Sequence, residues 1–218
     1  MRTTATAVED LVRELPLLEE GLACGFLNLS ALARRLRPQV EETLGKGVSD
    51  AAVMMALKRL ASQMTAQDRS IVKLLRQMRD LTVRSSLVEF TFRSSPTLLE
   101  RQRDLLQKIA KERDAFLTYT QGVFEATLIA SARLAGRIEA TFRSDRLVSR
   151  LDDLSAIVIP LPPKSVQTPG IHYTLLKQLA LADLNVVEVV STYGELTIVL
   201  AKDDVDRAFS ILKRFLWP

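Results

Sequence analysis

From Val8 to Leu22 apolar residues recur every three or four positions (Val8, Leu11, Val12, Leu15, Leu18, Leu22), which places them on one face of a helix. Pro16 interrupts the run and suits the first turn of a second short helix, where its missing N–H has no intrahelical partner to lose. Asn28 and Ser30 are good N-caps for a helix over 31–36; Pro38 restarts the chain over 39–44, and Gly45 and Gly47 end it. Ser49 or Asp50 caps a helix over 51–63 with Ala52, Met55, Ala56 and Leu60 on one face, and another helix covers 70–78.

After Asp80 the period shortens to two. Residues 81–92 set Leu87, Glu89 and Thr91 against Val88, Phe90 and Phe92, the pattern of a strand, with a break at Ser85-Ser86. Pro96 opens a helix to Lys111 with Leu98, Leu99, Leu105, Leu106 and Ile109 inward. Strands over 116–120 and 124–131 join at Gln121-Gly122, and a helix over 132–142 follows. The order then recurs: a strand over 155–161, a loop over 162–169, a helix over 171–182, strands over 185–192 and 195–201 joined at Tyr193-Gly194, and a helix over 205–215 capped by Asp203 or Asp204. The residues recur too. Thr120-Gln121-Gly122 before Glu125-Ala126-Thr127-Leu128-Ile129 matches Thr192-Tyr193-Gly194 before Glu195-Leu196-Thr197-Ile198-Val199; Ser86 pairs with Ser155, and Pro96 with Pro169.

The fold class expected is therefore α+β: two ferredoxin-like βαββα units over 81–153 and 154–218, each an antiparallel sheet with helices on one face, after a helical module over 1–80. The sequence stops after its last helix, so the second unit lacks a fourth strand. That strand is expected from Leu81–Arg84 or from another subunit, or is absent; an unfilled edge invites a homodimer.

Thr168-Pro169-Gly170-Ile171, a helix with Leu175, Leu176 and Leu179, then Leu184-Asn185-Val186-Val187-Glu188-Val189-Val190-Ser191-Thr192 and Glu195-Leu196-Thr197-Ile198-Val199-Leu200 together resemble an ACT domain, above all the ACT regions that end aspartate kinases. The resemblance implies amino-acid sensing, with Gln167, Thr168, Pro169, Gly170 and Ile171 of one sheet meeting Asn185 and Val186 of a partner. No counterpart of a kinase domain is present, so the regulatory role is carried over and the kinase activity is not. Independently, Gly170 has no Cβ to block a ligand, and the helix start beside it carries unpaired N–H groups suited to a carboxylate. The first copy reads Ser94-Ser95-Pro96-Thr97 there, without the glycine, and is expected to be structural.

Charge changes the picture little. The 218 residues carry a net +4, and the basic excess lies in 66–150, where opposite signs alternate as on solvated helix faces. The outline of residues 28–63 is that of a helix-turn-helix, with Arg34, Arg35, Arg37, Ser49, Asp50, Lys58 and Arg59 as candidate DNA contacts. Against DNA, residues 1–65 are electrically neutral, and Met54, Met55 and Leu57 crowd the reading face.

Chemistry is sparse. His172 is the lone histidine, Cys24 the lone cysteine and expected buried, and Asp152-Asp153 and Asp203-Asp204 read as turns and caps. No cofactor motif, metal-ligand set or catalytic residue is expected. No apolar run reaches the roughly 18 residues of a membrane span, no signal pattern opens the chain, and one thiol fits the cytoplasm. The expectation is a non-enzymatic, cytoplasmic, amino-acid-sensing regulator, with transcription control as one output. The alternative is a ligand-free scaffold or regulatory subunit that pairs with an enzyme through its sheets.

Overall fold

A computed structural model describes residues 2–78, 80–112 and 114–218, without the side chains of 16–17 and 65–69. Internal contacts divide the chain into Met1–Lys73 and Leu74–Pro218.

The first unit is helical: α1 (Thr4–Arg13), α2 (Pro16–Ala23), α3 (Leu29–Leu44) and α4 (Asp50–Leu75). Pro16 stands in the first turn of α2, and Asn28 Oδ1 accepts the Ala31 N–H at 3.1 Å as an N-cap. Gly45 ends α3 in the left-handed region (φ 64°). Two expected breaks are not made. Pro38 lies inside α3, because Ala33, Leu36 and Val40 share one buried stripe that continues through it. Burial here outweighs a proline cost of about 3 kcal/mol. Helices expected over 51–63 and 70–78 are one helix, whose Val53, Leu57, Leu60 and Met64 join Val8, Val12, Leu22, Leu36 and Val40 in the core. Cys24 is exposed, not buried, because it falls at the end of α2, past the inward Leu22.

The second unit is built on β1 (Thr82–Arg93), α5 (Leu98–Ile109), β2 (Leu117–Gln121), β3 (Glu125–Ser131), α6 (Ala135–Thr141), β4 (Leu147–Pro160), α7 (Ile171–Ala180), β5 (Glu188–Ser191), β6 (Glu195–Ala201) and α8 (Val205–Leu216). The strands form one sheet, ordered β2-β3-β1-β4-β6-β5, with every pairing antiparallel. On one face Val88, Phe90, Phe92, Ala126, Leu128 and Ala130 pack against Leu98, Leu105 and Ile109 of α5 and Leu134, Ile138 and Phe142 around α6. The same alternation buries Ile157, Ile159, Leu196, Ile198 and Leu200 in the second copy, along with Leu175 and Leu179 of α7 and Val205, Ala208 and Leu212 of α8.

The missing strand comes from within the chain. Thr82, Val83 and Arg84 pair with Val158, Ile157 and Ala156, so the first part of β1 completes the second copy, while its remainder (87–93) pairs with β3 in the first. β4 does the converse: residues 147–151 pair with β1, closing the first copy, and 154–160 pair with β6. Both strands shift register where they change partner, and both carry a non-glycine residue at positive φ there, Ser86 and Asp153, each at 56°.

This exchange corrects several expectations. β4 begins at Leu147 rather than Ser155, and Asp152-Asp153 lies at its kink instead of in a turn; Asp152 pairs with Arg150 and Asp153 with Lys202, both at 2.8 Å. The registers set Arg93 beside Glu125 and Pro160 beside Glu195, which makes Ser86 the equivalent of Asp153; Ser155 corresponds to Val88. Leu99 and Leu106 face outward, since one stripe of α5 (Leu98, Leu105, Ile109) already fills the contact with the sheet. Asp203 and Asp204 form a short 3-10 turn before α8 and give it no side-chain cap.

Candidate functional site

The two crossover connections start alike and finish differently. In the second copy the chain leaves β4, makes a 3-10 turn over Pro163–Gln167 and extends at Thr168, whose hydroxyl donates to the Lys164 carbonyl at 2.8 Å. Pro169 and Gly170 then form the turn into α7. Gly170 stands at φ 88°, where a side chain would be strained, which explains why this position is glycine. Its N-cap residue, Gly170, gives α7 no side-chain cap, and the first turn holds no acidic residue. The positive end of the helix dipole is therefore not offset by a charge from its own first turn.

In the first copy Pro96-Thr97 makes the equivalent turn before Leu98, but Thr97 has an ordinary φ of −81°. Its hydroxyl donates to Asp145 Oδ1 at 2.8 Å, Ser95 Oγ donates to the same oxygen at 3.0 Å, and Arg101 Nε lies 3.5 Å from Oδ2. The Asp145 side chain is 2% exposed. The first copy thus keeps a carboxylate of its own beside its helix start, held by two hydroxyls and a guanidinium.

Among the site residues read from the sequence, Gln167, Pro169 and Gly170 are exposed, Thr168 is half-buried and Ile171 is buried beneath α7. Asn185, exposed, and Val186, half-buried, follow the turn that closes the other end of that ten-residue helix, about 15 Å away. Within one chain the two groups stand at opposite ends of α7. What lies beside the start of α7 is the end of β5: His172 Nε2 is 3.5 Å from Ser191 Oγ. In the helical unit Arg34, Arg35, Lys58 and Arg59 are exposed. Ser49, however, accepts the Ala52 N–H at 3.2 Å as a cap, and Arg37 pairs with Asp50 at 3.3 Å. These side chains lend DNA binding no particular support.

A second feature escaped the sequence reading. The face of the sheet opposite α5 and α6 is not flat. Phe116, beside β2, and Val187 and Val190, at β5, pack on one cluster of Leu87, Ile129, Leu154, Ala156 and Val199, although β2 and β5 are opposite edges of the sheet. The sheet curls, and its two edges wall a cavity of about 600 Å³ lined by Phe116, Thr118, Thr120, Val190, Thr192, Arg84 and neighbours. On this face stands Glu89, 6% exposed, in one row with Ile129 and Thr118. Its Oε2 has no hydrogen-bond partner among the described residues. The only signal in the sequence was a glutamate between Val88 and Phe90, at a position that reads as polar and outward in a one-sided sheet.

Burial, and then the charge of Glu188, raise the Glu89 pKa above its ordinary 4.5, while a hydrogen bond with Thr91 pulls it partly back. The folded protein therefore holds this proton at pH values where the unfolded chain has released it. Stability falls as pH rises from the ordinary value through the raised one, and stays lower above it. Glu89→Gln is expected to be more stable than wild type at pH 7, with the gain vanishing below about pH 4. Urea midpoints measured from pH 4 to 8 check this; a gain that does not vary with pH would show that the charge is not its origin.

No family model matches the sequence, and no curated protein does. Solved structures do. The ligand-free regulatory subunit of aspartate kinase from Thermus thermophilus matches over 63% of this chain and 97% of its own, with a TM-score of 0.51 at 10% identity. Aspartate kinase from Synechocystis matches over 64% of this chain (TM-score 0.52, 15% identity), and E. coli aspartokinase III in complex with lysine and aspartate over 65% (TM-score 0.51, 13% identity). The chain spans 27% and 33% of those two kinases. At such identities the likeness is one of fold: the tandem ACT-type arrangement read from the repeat is the arrangement adopted.

Proposed function

We propose that this chain is a non-enzymatic regulatory protein that binds an amino acid, or a related small carboxylate, at Gln167–Ile171 of one copy, with Asn185 and Val186 contributed by a second chain in a homodimer. One observation carries the reading. Where the first copy fixes Asp145 with Ser95, Thr97 and Arg101, the second has a left-handed glycine before a helix that has no side-chain cap and no acidic first turn. A ligand carboxylate would take the role there that Asp145 takes in the first copy. The shared fold with a kinase whose structure holds lysine and aspartate is consistent with this ligand class. The opposite-end placement of the loop and Asn185 fits a site completed by a partner.

A thermal-shift titration of the purified chain with the twenty amino acids tests it. At least one is expected to stabilise the protein, by about 2.7 kcal/mol at one hundred times its dissociation constant. Gly170→Val, which sets a β-branched side chain at positive φ, is expected to abolish that response while circular dichroism stays native. Silence toward all twenty would favour a scaffold that pairs with an enzyme through its open sheet edges.

A further inference from the structure

We propose that the turn before α5 forms a binding site for a small monocarboxylate, which the chain fills with its own Asp145 side chain. The donors and the acceptor come from separate parts of the fold. Ser95 Oγ and Thr97 Oγ1, 2.9 Å apart, both donate to Asp145 Oδ1, and Arg101 Nε faces Oδ2 at 3.5 Å. All three donors belong to one short stretch, residues 95–101, made of the turn at Pro96 and the start of α5. Its anchors do not involve Asp145. Leu98 is buried against the sheet, the Ser94 N–H donates to the Phe124 carbonyl at 2.8 Å, and the Arg101 N–H donates to the Thr97 carbonyl at 3.0 Å. The carboxylate arrives from the turn over 142–146 between α6 and β4, 50 residues beyond Ser95. The receiving groups are therefore held in place by local structure, independently of their occupant.

The contacts define the occupant's chemistry. Two hydroxyls on one oxygen and a guanidinium beside the other are the partners of a single ionised carboxyl group. The site is enclosed: the Asp145 side chain is 2% exposed, and Asp145 Oδ2 and Arg101 Nε are both buried. Those two atoms make no hydrogen bond among the described residues and answer each other as an ion pair. Burial, and then the negative charge of Asp145, raise the pKa of Tyr119, so the charge is felt on β2 as well. Removing the carboxylate strands a buried guanidinium nitrogen and two hydroxyls, which is costly to the fold and favours any small anion that restores the contacts. Thr97 is exposed and the Arg101 side chain partly so, which puts the site within reach of solvent. The site shares no residue with the Gly170 loop, and it stands whether or not that loop binds an amino acid.

Chemical rescue of the whole chain is the test. Asp145→Ala removes a group the size of formate, and Asp145→Gly one the size of acetate. Both variants are expected to unfold at lower urea than wild type. Ligands of so few atoms bind weakly, so sodium formate and sodium acetate are titrated to about 100 mM against sodium chloride at equal ionic strength. The matched anion is expected to recover about half of the lost midpoint, saturably, with formate acting best on Asp145→Ala and acetate on Asp145→Gly. Wild type and Asp145→Asn, in which a side chain still fills the position, are expected to gain nothing beyond the effect of chloride. Adding Gly170→Val to Asp145→Gly is expected to leave the rescue unchanged, so failure of the loop site and of this one are distinguishable. Should a variant not fold, recovery of native circular dichroism with its matched anion is the same supporting result. The proposal is overturned if neither anion acts on either variant more than chloride does, or if wild type or Asp145→Asn responds as strongly, which would be a general salt effect.

Discussion

Phe142→Ala is expected to remove about 3–5 kcal/mol from the unfolding free energy. Phe142 closes α6 at 1% exposure and stacks on Phe92 with ring centroids 4.7 Å apart; Phe92 in turn stacks on Phe90 at 6.2 Å. The three rings fill the space between the sheet and α5–α6, which Leu98, Leu105 and Ile138 line. Truncation forfeits the transfer energy of the ring and leaves a void that flanking backbone, fixed in two secondary structures, can only partly close. A urea denaturation series followed by circular dichroism reads the loss as a lower midpoint at unchanged slope. A change under about 1 kcal/mol would mean that the aromatic stack is not the centre of this core.

Leu154→Ala should cost about 2–5 kcal/mol and should destabilise both copies of the repeat at once. Leu154 pairs directly with Leu87, each just after the positive-φ residue of its own strand, and both belong to the cluster on the curled face. Because β1 and β4 each serve both copies, neither copy can open without removing a strand from the other. The variant is expected to unfold in one transition reported alike by probes in the two copies. Leu87→Ala should match it in size, and the double variant should cost less than the sum, since both truncations open one shared cavity. Two separated transitions would contradict the strand exchange as a source of cooperativity.

The repeat itself was legible because period-two strands, period-four helices and the Thr-x-Gly hairpins recur in order; β6 falls on its expected residues, and β1 and α8 within one. Leu81–Arg84 was among the sources named for the missing strand, and β1 supplies it from there. The break at Ser85-Ser86 marked the register shift beside Ser86, because two small polar residues interrupt an apolar alternation at the point where the strand changes partner. The early start of β4 was not legible. Residues 147–151 lie largely exposed and carry Arg150 and Asp152 nearby, so they lack the apolar alternation of a covered strand; they are held by the backbone ladder to β1. The loop before α7 was legible through Pro169-Gly170, whereas the occupation of its counterpart by Asp145 was not, since Ser95 and Asp145 are 50 residues apart.

What the sequence determined by itself is local: which segments coil or extend, that a βαββα design occurs twice, and that a glycine stands at one helix start and not at the other. These follow from short-range sterics and from the spacing of apolar side chains. Tertiary structure decided the rest: that the copies trade strands, that Pro38 is overridden within α3, and that Glu89 is buried on the sheet face opposite α5 and α6. Each depends on which surfaces meet, and a residue's burial is set by partners that lie far along the chain.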